Sequence, residues 1–352
     1  MIPKEEILKA LGEVKHPGME DRSILELGMV DGIEQEEGKI SVTLAFPRKP
    51  DPLKNYLTGA VKASLYRAVP GGTEIEVRTI VREAPKPKAP ELTLDELRNV
   101  RHIIGIASGK GGVGKSTVAV NLAIALARQG FRVGLADADI YGPSVPLMTG
   151  TVGAVLPAEQ QDGKEIIIPA EKYGVKWVSI GYFADPSQAL IWRGPMACGA
   201  LKQMILQVRW GELDYLLIDM PPGTGDIHIS LLQEIPMEGA VIVTTPQKVA
   251  LADVEKGVDM FRNKNINRPV FGLVENMAWF TPAEHPDEKY YIFGKDGGAE
   301  MAKHFDIPLL ARIPLVKSIC EGGDSGVPPA LGSGPDGEAF LQLAAQLAAR
   351  MG

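Results

Sequence analysis

Cysteine is almost missing from this 352-residue chain, which contains two. Two thiols cannot build the disulfide framework of a small secreted domain, so a reducing compartment, the cytoplasm, is expected. Long apolar runs are missing too. No stretch reaches the ~18 residues of a membrane span. The opening residues, MIPKEEILKALGEV, interrupt their apolar positions with charge, where a signal peptide would be continuous. There is no surplus of positive charge: 37 Lys and Arg stand against 44 Asp and Glu, a net −7. That balance disfavours a large nucleic-acid-binding surface and leaves only a local basic patch open. Neither a nucleic-acid nor a membrane partner is expected. The five histidines show no recurrent ligand spacing, and Glu284 beside His285 is a thin basis for a metal site.

What is present is the composition of a soluble globular protein, 45% hydrophobic and 23% charged. A proline-rich stretch, VREAPKPKAPEL, divides it, because proline fixes φ and removes backbone donors. The expected division is a small α+β domain over 1–82, a linker over 83–98 and a larger domain over 99–352. In the small domain, apolar spacing predicts helices over 5–14 and 53–68. Strands are expected over 25–33, 39–46 and 74–80, with an acidic turn at 35–38. In the large domain, continuously apolar runs predict strands over 103–107, 132–137, 176–180, 215–219, 240–244, 270–274 and 309–313. Helical patterns over 115–129, 198–209, 251–263 and 338–350 alternate with them. This is the pattern of an α/β fold with a doubly wound, mostly parallel sheet.

The strongest local signal is SGKGGVGKST over 108–117. An apolar strand precedes it and an amphipathic helix follows, the setting in which G-x-x-x-x-G-K-[ST] cradles phosphates. Gly109, Gly111, Gly112 and Gly114 let the backbone curl, so that amides through Val113 to Thr117 converge on a phosphate chain. The following helix adds its positive end. Lys115 would place a cation on the β- and γ-phosphates, and the Ser116 hydroxyl can ligate Mg²⁺. Lys110, directly after Gly109, is a second loop lysine. Phosphoryl transfer spreads charge over the γ-oxygens, so a cation there lowers the barrier. At the start of the loop it is badly placed for its own nucleotide and better placed for one on a facing subunit, which implies a homodimer.

Two acidic strand ends complete the set. Asp137 and Asp139 close the strand before IYGPS, with Asp139 suited to orient or activate the attacking water and Asp137 to support Mg²⁺ or that water. Asp219 follows four apolar residues in YLLIDMPPGTGD and would hold Mg²⁺ through water. Gly223 is placed to give its amide to the γ-phosphate. The expected catalytic residues are therefore Lys110, Lys115 and Asp139, and the expected Mg²⁺ residues Ser116, Asp137 and Asp219.

These residues resemble the deviant-Walker-A ATPases that include MinD, ParA and the nitrogenase iron protein. Within that class they are most similar to the Mrp/ApbC family of iron–sulfur cluster carrier ATPases. The likeness rests on GKGGVGKST at 109–117, DADIYGPS at 137–144, WRGPM at 192–196, ALKQ at 200–203, DMPPGTGD at 219–226, TTPQ at 244–247, ENM at 275–277 and EGGDSG at 321–326. The small domain looks like the one that often precedes this ATPase and is shared with metal–sulfur assembly factors. The resemblance implies Mg²⁺-dependent ATP hydrolysis and makes Asn276 a contact to the purine base. It also implies a [4Fe–4S] cluster bridging two subunits and passed to apo-proteins. The chain departs from the family in its thiols. Many members carry Cys-x-x-Cys shortly after ENM, where this chain reads AWFTPAEHPD over 278–287. Relatives of the small domain often carry a cysteine just before a proline, where this chain reads FPRKP over 46–50. Cys198, at the start of an expected helix, and Cys320, in an expected loop, remain, and the cluster ligands are left unassigned. A second reading stays open beside the carrier: a MinD/ParA-like nucleotide-switched positioning or adaptor ATPase without a cluster.

Overall fold

The structure, a computed structural model, describes residues 2–17, 19, 22–36, 38–46, 51–82, 92–161, 163–183, 194–282, 284–285 and 287–352, apart from the side chain of 195. Two compact units divide between Glu91 and Leu92. Residues 83–91 of the expected linker lie outside the described residues, but 92–98 belong to the large unit. There Asp95–Leu97 form a 3₁₀ turn, Leu97 is buried, and Leu92 packs on the same core.

In the small unit, α1 (Lys4–Gly12) precedes β1 (Val30–Glu36) and β2 (Lys39–Phe46), and α2 (Lys54–Ala68) leads to β3 (Glu74–Val81). The sheet order is β1-β2-β3. The β1–β2 pair is antiparallel and the β2–β3 pair parallel across the α2 crossover. Ile7 and Leu11 of α1 and Leu57, Val61 and Leu65 of α2 pack with Ile40, Val42, Leu44 and Ile75 of the sheet into one core. The first strand begins later than its apolar residues predict. Ser23 and Glu26 cap each other's amides, at 2.7 and 3.2 Å, and hold 23–28 in a turn that Gly28 closes at φ +64°. Its far end runs on to Glu36, opposite Lys39, leaving the turn shorter than expected.

The large unit carries β4 (Val100–Ala107), α3 (Lys115–Arg128), β5 (Val133–Asp137) and the short α4 (Val145–Met148). A hairpin, β6 (Ala158–Gln161) and β7 (Lys164–Ile167), follows, then β8 (Ala170–Lys172), β9 (Val175–Ser179) and α5 (Gly194–Leu206). The rest is β10 (Leu213–Asp219), α6 (Asp226–Glu234), β11 (Gly239–Thr244), α7 (Lys248–Arg262), β12 (Val270–Glu275), α8 (Gly297–Phe305), β13 (Leu309–Arg312), α9 (Lys317–Ser325) and α10 (Pro335–Met351). Eight strands form one sheet in the order β13-β12-β11-β4-β10-β5-β9-β8, parallel except for β8 against β9. Apolar clusters cover both faces. On one of them α3 is buried nearly all round, from Val118 to Leu126, with α10 packed on it. Phe340, Leu343, Ala344 and Leu347 of α10 are all fully buried, so its apolar stripe belongs to this core.

All seven expected large-domain strands form. The short helices α4, α6, α8 and α9 were not expected, since each is brief or interrupted by glycine or proline and gives little period to read. This corrects Cys320, which stands on α9 and not in a loop. Cys198 lies within α5, which begins at Gly194, earlier than its pattern suggested. Among the described residues no helix is long and apolar enough to cross a membrane.

Candidate nucleotide site

The 108–114 loop joins the end of β4, near the middle of the sheet, to the first turn of α3. Its glycines are there for contact and conformation. Gly112 and Gly114 take φ +82° and +80°. A Cβ on Gly109 would lie 2.2 Å from the Asp253 carbonyl oxygen of α7, and one on Gly114 would lie 2.2 Å from Asn276 Nδ2. Ser108 Oγ donates to the Lys110 carbonyl at 2.9 Å, which tightens the loop's entry. Lys110 is half-buried, and its ammonium makes no ion pair among the described residues.

Lys115 and the acidic strand ends meet. The β10–β5 register sets Asp219 directly beside Asp137, because both strands stop at the same level of the sheet. Lys115 Nζ donates to Asp219 Oδ1 at 2.5 Å, lies 3.3 Å from Ser116 Oγ and 4.0 Å from Asp139 Oδ2. Asp219 is fully buried, and among the described residues its Oδ2 has no partner. The oxygens of Asp137 are occupied: Oδ2 accepts from Ser179 Oγ at 2.8 Å and the Val145 amide at 3.3 Å, and Oδ1 from the Asp139 amide at 3.2 Å. Burial, reinforced by the neighbouring Asp219 charge, pushes Asp137 up to about 7. Burial also raises Asp139, against the pull of Lys115.

A divalent cation fits this donor set. Asp219 Oδ2 is an available hard oxygen, the Ser116 hydroxyl and Asp219 Oδ1 both contact the Lys115 ammonium, and that ammonium could be replaced at Asp219 by a metal while turning to a phosphate. Asp137, with both oxygens engaged, fits a supporting place behind them. Lys115 and Asp219 thus neutralise each other: Lys115 holds the carboxylate that a metal would hold, and Asp219 holds the ammonium that phosphates would hold.

Asn276 lies at the end of β12 and is buried. Its Nδ2 donates to the Val113 carbonyl at 2.8 Å, tying it to the phosphate loop. It lines a cavity of about 320 Å³ with Gly114, Thr117, Pro314, Leu315, Val316 and Cys320. The cavity adjoins the phosphate loop, and its mainly apolar lining also carries the Asn276 amide, Thr117 and Asp324, a mixture that suits a planar base with polar edges. Gly223 has φ +91°, and its amide donates to the Ser108 carbonyl at 3.0 Å, so it faces the loop's entry. The sequence reading missed Ser179, which holds Asp137, and the 314–320 wall of the cavity. Neither belongs to a motif with a recognisable spacing.

Fold and site together define a P-loop nucleotide-binding protein of the doubly wound class, with the additional loop lysine. The sequence profile of the NUBPL iron-transfer P-loop NTPases matches residues 99–348, and that of the iron-sulfur cluster assembly proteins matches 4–77. The chain belongs to the NUBPL iron-transfer P-loop NTPase family. An iron-sulfur cluster carrier protein of Synechocystis sp. is 44% identical to it, over 93% of this chain and 91% of that one. Another, of Aquifex aeolicus, is 49% identical over 72% of this chain and 69% of that one. Among solved structures, a nucleotide-binding protein of Archaeoglobus fulgidus in complex with ADP superimposes with a TM-score of 0.60 at 34% identity. That match covers 71% of this chain and 98% of that one.

Proposed function

We propose that this chain binds and hydrolyses Mg²⁺·ATP as a homodimer and uses that cycle to deliver iron–sulfur clusters to apo-proteins. The observation that carries the nucleotide half is the exchangeable Lys115–Asp219 pair with its one unpartnered oxygen. An arriving triphosphate takes Lys115, which frees Asp219 Oδ1 beside the already available Oδ2. Asp219 and Ser116 Oγ are the residues that would hold Mg²⁺, whose charge would offset that of the phosphates. The 109–117 amides and the N-terminus of α3 bind the phosphate chain. Asn276 turns its amide towards the base in the adjoining cavity. Asp139 orients the attacking water, and its raised pKa suits it to accept a proton. Lys110, which makes no ion pair among the described residues, reaches a nucleotide on the facing protomer. Tyr141, Ile229 and Val249 are exposed at 66%, 38% and 68%, on segments that follow the ends of β5, β10 and β11. They support an apolar contact on the nucleotide face.

The carrier half rests on the family and on the named carriers among its relatives. The cluster is cargo. Cys198 and Cys320 are the thiols available, and no group of three His, Cys, Asp or Glu side chains converges as a metal site among the described residues. Four-thiolate ligation would therefore draw two cysteines from each of two chains. Anaerobic reconstitution with iron and sulfide tests this: an iron count, a visible absorption band and transfer to an apo-protein in the presence of ATP are expected. A protein that hydrolyses ATP but never takes up iron or sulfide refutes the carrier half and leaves the adaptor reading. The burial of the α10 stripe argues against a membrane-positioning version of that reading.

A further inference from the structure

His228 is a buried histidine that the phosphate chemistry above does not use. It lies in the first turn of α6, and its side chain is 2% exposed. Nε2 is 2.7 Å from the Pro221 carbonyl, and Nδ1 is buried with no hydrogen-bond partner among the described residues. A carbonyl only accepts, so Nε2 carries the proton and donates it. The His228 amide also donates to the Gly225 carbonyl at 3.0 Å. The segment after Asp219 is thereby held at both ends: Pro221 by the imidazole, Gly225 by the start of α6. Gly223 lies between these points in the left-handed region, and its amide is lent to the Ser108 carbonyl.

We propose that His228 is a positioning residue of the nucleotide site, whose Nε2–H fixes the Pro221 carbonyl so that the Gly223 amide can exchange between the Ser108 carbonyl and a γ-phosphate oxygen. The inference rests on the reading of Gly223 as a γ-phosphate donor. The physical case is one of preorganisation. A donor aimed at developing charge is worth about 10²–10³ in kcat when it is already in place. A two-proline segment with one end released would sample other orientations and lose part of that factor. The imidazole suits the anchoring role because it brings one donor to the Pro221 carbonyl and is itself buried, one helical turn before the core residues Leu231 and Leu232.

The test compares His228→Asn with His228→Gln. Glutamine can carry an N–H to about the position of Nε2, whereas asparagine is too short to reach Pro221. Asn is expected to lower kcat for ATP at least about tenfold while leaving the Kd for Mg²⁺·ADP, which has no γ-phosphate, within about twofold. Gln is expected to keep kcat within about threefold of the wild type. Wild-type turnover in the Asn variant, a matched loss of ADP binding, or a Gln variant as slow as Asn would overturn the proposal. The same pair is compared by hydrogen exchange over residues 220–226 in the nucleotide-free protein, which needs no turnover. Faster exchange with Asn but not with Gln supports the anchor, and equal exchange in all three proteins overturns it. A wild type that binds ADP but does not hydrolyse ATP refutes the ATPase reading instead, and the exchange data still decide the anchor. Should the Asn variant fail to fold, Gln alone suffices, since loss of turnover or of protection with Gln refutes it.

Discussion

Replacing Asp219 with asparagine probes the self-neutralised site most directly. The ammonium of Lys115 is 6% exposed and the Asp219 carboxylate 0%, so D219N strands a buried cation. Breaking a buried pair by removing one partner costs about 3–5 kcal/mol. Asp139, 4.0 Å from the ammonium, retains part of the compensation, which puts the expected loss near the lower bound, about 3 kcal/mol. For a unit of this size, that lowers the melting temperature by about 6–12 °C. The assay is thermal unfolding of the nucleotide-free protein, repeated with Lys115→Met and with both substitutions. The double variant should lose at least about 1 kcal/mol less than the sum of the single losses, because the interaction removed is shared. Saturating Mg²⁺-free ADP should shrink the D219N deficit, as its phosphates take over the stranded ammonium. A nucleotide-free D219N that melts within about 2 °C of the wild type, or additive losses, would refute the claim that this ion pair holds the site together.

Gly114→Ala should abolish nucleotide binding while the small unit still folds. It forces a side chain into φ +80° and sets a Cβ 2.2 Å from Asn276 Nδ2, and equilibrium dialysis with ADP checks this. Lys110→Ala should leave ADP affinity within about threefold and cut ATP turnover by at least about tenfold, as expected of a cation that acts in the transition state; steady-state kinetics beside a binding titration separates the two. His228 sets a pH dependence of stability. Burial, with a smaller contribution from Lys115, holds its imidazole below the ordinary 6.5, so the unfolded chain binds more protons there. Stability should therefore fall as the pH drops through 6.5 towards the lower folded value, and H228Q should remove that slope in urea midpoints measured from pH 7.5 to 5.5.

Much of this protein is local and so is written in its sequence. The phosphate loop is a run of neighbours whose glycines, lysine and hydroxyl act within one strand-to-helix turn. The carboxylates announce themselves because an acidic residue that closes an apolar strand stands at the carboxyl end of the sheet, where ligands bind. The strands were legible for a related reason: burial on both faces leaves uninterrupted apolar runs. Helices such as α6 and α9 were not, since a short helix that borrows its stability from neighbours needs little period of its own. Only the tertiary structure joined Lys115 to Asp219, set Asp137 beside it through the strand register, and tied Asn276 to the Val113 carbonyl. It alone built the base-sized cavity from Gly114, Thr117, the Asn276–Met277 pair after β12 and the 314–324 segment, and lodged His228 against the Pro221 carbonyl. Residue type and near-neighbour spacing set what each group can do. Which group meets which depends on strand order and register, and those follow from packing the whole sheet at once.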